Sequence, residues 1–163
     1  MQSANVSLPH ARQVHRCGTW SGPTADKVML DYDGRHRRRH FMSGVGGLEF
    51  LLDLPKAQHL RGGDALELED GRLIAIEALP EPLVEVTAAD KQALARLAWH
   101  IGNRHLQVEV TQGALRIRAD RLIEAMLAGL GASLRPIEAP FEPESQAASP
   151  PGAAHHAHEH HHP

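Results

Sequence analysis

Along the first half of the chain, short runs in which apolar and polar residues alternate are broken by Gly, Pro and Asp-Gly pairs. A period of two is the pattern of strands with one face buried and one wet. Leu66 and Leu68 alternate with Glu67 and Glu69, for example. Asp33-Gly34 and Asp70-Gly71 each lie between two such runs and read as hairpin turns, because a two-residue type I′ turn needs the positive φ that Asp and Gly tolerate. The pattern predicts about five or six short antiparallel strands and no helix before residue 80.

Near Pro80-Glu81-Pro82 the period changes. After a strand at "PLVEV", Thr87-Ala-Ala-Asp90 reads as a capping box, and Leu94, Leu97, Ala98 and Ile101 fall at helical spacing. Gly102-Asn103 is the expected end of that helix. "HLQVEV" and "ALRIR" then flank Thr111-Gln112-Gly113 as another hairpin. A second helix starts at Asp120, with Leu122, Ile123, Met126, Leu127 and Leu130 as its stripe, and Gly131 stops it before a last strand, "SLRPIEA". The order β-α-β-β-α-β is that of the ferredoxin-like split unit. The prediction is therefore an α+β chain: an N-terminal antiparallel β-domain over residues 1–80, a ferredoxin-like domain over 81–139, and a His-rich tail over 140–163. That tail, rich in Pro, Glu, Ser and Ala before its histidines, lacks the residues for a core and is expected to be mobile.

The 163 residues suit one medium domain or two small ones. With 42% hydrophobic residues but 4% aromatic, the core must rest on aliphatic side chains. A net charge of -3 gives no electrostatic case for non-specific nucleic-acid binding. The N-terminus lacks a secretory signal pattern, and no run approaches the ~20 apolar residues of a membrane span, so a cytoplasmic protein is expected. The single cysteine, Cys17, excludes an internal disulfide and reads as a small strand residue.

The candidate chemistry is histidine chemistry. His155, His156, His158, His160, His161 and His162 crowd the last nine residues, offering overlapping imidazole pairs that capture and pass on a divalent ion. Ala157 and Glu159 interrupt the series, which separates it from the unbroken run of an appended tag. In "WHIGNRH", His100 lies in the last helical turn and His105 just beyond the cap, exposed where a second subunit can present a matching imidazole. From the residues alone, a solvated side chain is the commoner case for such a histidine. "RHRRRH", residues 35–40, reads as a strand with Arg35, Arg37 and Arg39 on one face and His36, Arg38 and His40 on the other. A charged edge that blocks aggregation explains it better than a partner-binding face. His10, His15 and His59 stand singly and read as surface or loop residues. No phosphate loop or nucleophile elbow is present, and no catalytic set emerges.

The runs "LDYDGRHRRRH", "LLDLPKAQHLRGGDALELEDGRLIAIEALPEPLVEV" and "AWHIGNRH", with a His-rich tail, closely resemble the UreE family of urease accessory proteins, which carry nickel. The resemblance covers residues from about 14 to 144. It implies an N-terminal domain similar to the peptide-binding domains of heat-shock co-chaperones and a ferredoxin-like domain that forms a homodimer. It implies that His105 of each subunit binds one Ni(II) at the two-fold axis, that His100 matches a nearby family histidine, and that the tail histidines assist by character. It further implies delivery through the GTPase UreG to the apo-urease activation complex. Arg118, Ala119 and Arg121 stand where some members carry a peripheral histidine site, so one ion per dimer is expected in the folded core. Zn(II) and Cu(II) suit the same imidazoles, and binding should weaken below about pH 6 as imidazole protonates. The rival readings are a peptide-binding or scaffolding protein whose tail only buffers metal, and a general zinc or copper store.

Overall fold

The computed structural model describes residues 7–145. Its first sheet contains β1 (His10–His15), β2 (Asp26–Leu30), β3 (Arg39–Ser43), β4 (Glu49–Asp53), β5 (Ala65–Leu68) and β6 (Leu73–Ala78), in the order β2-β6-β5-β1-β4-β3. The alternating positions behave as expected. Phe50, Leu52, Leu66, Leu68, Ile74 and Ile76 are buried in one cluster with Val28, Met42, Leu54 and Leu60.

The sheet is mixed, however, and not wholly antiparallel. β1 runs parallel to β4, and β2 runs parallel to β6. Alternation reports which face is buried and carries no information on strand direction, which is set here by long connections. Asp70-Gly71 does turn a hairpin between β5 and β6. Leu68 N–H donates to the Arg72 carbonyl at 2.9 Å, and Gly71 N–H donates to the Leu68 carbonyl at 2.8 Å. Of the two turn residues only Gly71 has positive φ, +88°, so the loop is one residue longer than a type I′ turn.

Asp33-Gly34 makes no hairpin. Gly34 N–H donates to the Asp31 carboxylate at 2.7 Å and Arg35 N–H to the Asp31 carbonyl at 3.0 Å, winding Gly34–His36 into a 3-10 turn. "RHRRRH" is thus split. Arg35 is fully buried, while Arg39 and His40 open β3, which does form an edge of the sheet.

The second sheet contains β7 (Glu81–Thr87), β8 (Glu109–Thr111), β9 (Ala114–Arg118) and β10 (Ser133–Ala139), ordered β10-β7-β9-β8 with every pair antiparallel. Helices α1 (Lys91–Asn103) and α2 (Arg121–Gly129) complete an α+β architecture. Leu97, Ile101 and Leu127 pack with Val84, Val86, Leu115 and Ile117. The cap of α1 is Asp90, whose extended backbone lets its carboxylate accept from Ala93 N–H at 2.7 Å; Thr87 instead belongs to β7. Asp120 caps α2 as expected, accepting from Leu122 and Ile123 N–H. Leu122 does not join the stripe, since it is 82% exposed. The strand expected at "HLQVEV" is confined to Glu109–Thr111.

The two sheets meet around Arg35. Its guanidinium donates to the carbonyls of Leu30, Leu60 and Phe141 and to Glu142 Oε1 at 2.7 Å. Beside it, Tyr32, Leu83 and Phe141 form a small apolar cluster. The segment after β10, whose composition argues against a core, therefore supplies a fully buried phenylalanine.

Candidate functional site

Both helices end in the same way, and that comparison singles out one residue. At the end of α2, Gly131 N–H donates to the Ala128 carbonyl and Ala132 N–H to the Leu127 carbonyl, with Gly131 at φ +88°. At the end of α1, His105 N–H donates to the Gly102 carbonyl at 3.0 Å and Leu106 N–H to the Ile101 carbonyl at 3.3 Å. These are the paired bonds of a Schellman motif, whose left-handed position is ordinarily glycine. Here it is His105, at φ 56°, and no other non-glycine residue among the described residues has positive φ. The helix thus runs through Gly102-Asn103, one turn position beyond its expected cap.

The consequence is a presented imidazole. The reversal at His105 turns the chain away from the helix and leaves this residue exposed, while Leu106 packs back on the core. The free carbonyls of a helix C-terminus favour a cation nearby. His100 lies in the preceding turn, half-buried, its ring 5.0 Å from that of Trp99 in an edge-to-face contact. Trp99 is 63% exposed. Arg104 Nη1 donates to the His100 carbonyl, so the last turn is stitched from outside as well.

Among the described residues, no group of three or more His, Cys, Asp or Glu side chains surrounds a point where a metal ion would sit. His155, His156, His158, His160, His161 and His162 lie outside the described residues. Chemically, His105 offers one borderline nitrogen donor on a fixed backbone, which suits Ni(II), Zn(II) or Cu(II) once further donors join it.

Three histidines that stand alone in the sequence do not stand alone in the fold. His10 Nδ1 lies 3.0 Å from Asp53 Oδ2, and His15 Nε2 lies 2.5 Å from Glu67 Oε2. His59 meets both His36 and Glu142, with Nδ1···Nδ1 at 3.4 Å and Nε2···Oε2 at 3.4 Å. Separations of 23 and 83 residues hide that grouping from any local motif. Burial alone would raise the Glu142 carboxyl, but bonds from His59 and Gly62 N–H and the Arg35 charge outweigh it and hold the group below the usual glutamate range.

The fold and this terminus define a two-domain α+β protein that presents a histidine from a strained helix end. The UreE urease accessory protein N-terminal domain matches residues 6–79, and the C-terminal domain of the same family matches residues 81–163. A urease accessory protein UreE from Bradyrhizobium sp. is 58% identical over 136 residues, 83% of this chain and 65% of that protein's length. Proteins of the same name from Beijerinckia indica and Rhodobacter capsulatus are 58% and 47% identical, covering 86% and 87% of the chain and 82% and 88% of their own lengths. The chain belongs to the UreE urease accessory protein family. No helix among the described residues is long and apolar enough to cross a membrane.

Proposed function

We propose that this protein is a cytoplasmic, non-enzymatic nickel carrier for urease assembly. It acts as a homodimer in which His105 of each copy donates to one shared Ni(II). His100 and the tail histidines His155, His156, His158, His160, His161 and His162 serve as auxiliary ligands, and the ion passes through UreG to the apo-urease complex. The observation that supports this most is the placement of His105 where a Schellman motif favours glycine: a residue that costs stability at an exposed position is explained by what its imidazole does. The β10-β7-β9-β8 order supports reading the second domain as ferredoxin-like. Zn(II) and Cu(II) compete for the same nitrogens, since imidazole prefers copper on affinity alone.

Calorimetric titration of the full chain with Ni(II) tests this. The wild type should show a tight event at one ion per two chains, and His105→Ala should lose that event while keeping weaker uptake by the tail. Survival of the tight event in His105→Ala would remove the central claim. The second reading is a peptide-binding protein whose tail only buffers metal. It draws on the edge strand β3, which exposes Phe41 at 49%. On that reading, nickel titration would show only multiple weak sites and be indifferent to His105.

A further inference from the structure

At the junction of the two sheets, the imidazoles of His36 and His59 approach with Nδ1···Nδ1 at 3.4 Å and ring centroids 5.5 Å apart. That separation lies beyond the roughly 2.7–3.2 Å span of ordinary N–H···O hydrogen bonds, so at most a weak hydrogen bond joins the two rings. It matches a different geometry. Two nitrogens bound to one zinc ion at about 2.0–2.1 Å, at a tetrahedral angle, lie roughly 3.3–3.4 Å apart. Ligands at right angles on a square-planar or octahedral ion with similar bond lengths lie only about 2.8–3.0 Å apart.

The surroundings orient His59, and Tyr32 lies beside both rings. His59 Nε2 faces Glu142 Oε2, so in the neutral ring the proton belongs on Nε2 and Nδ1 is left bare toward His36. Glu142 is itself fixed by the fully buried Arg35 at 2.7 Å and by Gly62 N–H at 3.2 Å. Tyr32 packs against both imidazoles, with centroids at 5.9 and 5.1 Å. A carboxylate behind a histidine whose other nitrogen is free is the arrangement that orients metal-binding imidazoles. The pair borders a cavity of about 430 Å³, also lined by Tyr32, Arg61, Gln107 and Glu144, with room for water or a further donor.

We propose that His36 and His59 form a second metal site, at the junction between the sheets, that takes a four-coordinate divalent ion of the Zn(II) type through their Nδ1 atoms. Water or an outside ligand fills the remaining positions. The site is separate from His105, and it stands or falls independently of nickel carriage.

The test is a Zn(II) titration of the full chain followed by imidazole nitrogen NMR, which reads each histidine without counting ions held by the tail. The Nδ1 signals of His36 and His59 should move together, with Nε2 of His59 keeping its proton. His36→Asn should weaken the response at His59 at least 10-fold, and His59→Gln should do the same to His36, with amide spectra otherwise unchanged to show that the fold survives. His105→Ala should leave both signals responsive. Silence of both Nδ1 atoms at saturating zinc, a response through Nε2 instead, or a full response at His59 in His36→Asn would each overturn the site.

Discussion

A left-handed backbone costs an L-residue roughly 1–2 kcal/mol relative to the right-handed region, and glycine escapes that cost. His105 bears it at an exposed helix terminus. His105→Gly should therefore raise unfolding stability by about 1 kcal/mol, less than the full cost because glycine gains freedom in the unfolded chain. Urea denaturation of the two proteins would show it. The same variant should lose tight nickel binding, so stability and binding should move in opposite directions. A His105→Gly protein that is less stable than the wild type would mean that the imidazole makes contacts that hold the native turn.

At the scale of elements, the caps are the most local determinants. Asp120 accepts from two backbone N–H groups of α2, at 2.9 and 3.1 Å, so Asp120→Ala should cost about 1 kcal/mol, seen as a lower denaturation midpoint with an unchanged slope. This cap, the stripe from Leu94 to Ile101 and the Asp70-Gly71 turn were legible in the sequence because each depends on residues within a few positions. The capping-box pattern points to Thr87 as the cap of α1, but Asp90, three residues on, is an equally good acceptor, and only the end of β7 decides between them. Parallel pairing of β1 with β4 and the burial of Arg35 were illegible for one reason: both depend on partners far along the chain. His105 was visible as a candidate from its place after a helix end. Its backbone conformation was not, since a glycine at 102 offered the more obvious cap.

At the scale of the molecule, the two sheets are joined by a charge and not only by apolar contact. Arg35 is fully buried, and among the described residues its one carboxylate partner is Glu142, from the segment after β10. Three neutral carbonyls complete its bonds. Removing one member of such a pair leaves the other desolvated and uncompensated, so Arg35→Met should cost roughly 3 kcal/mol or more and loosen the Tyr32–Phe141 contact. Acid should act on the same joint. Glu142 is held below its ordinary value of 4.5, burial opposing and His59, Gly62 N–H and Arg35 prevailing. A carboxylate depressed in the folded state binds fewer protons there than in the unfolded chain, so its contribution is present above about pH 4.5 and is lost as pH falls through the folded value. In Glu142→Gln the amide cannot ionise. Urea midpoints measured from pH 7 down to pH 3 should start lower than those of the wild type and fall less steeply below pH 4.5. Equal acid slopes in the two proteins would show that Glu142 does not link the sheets to pH.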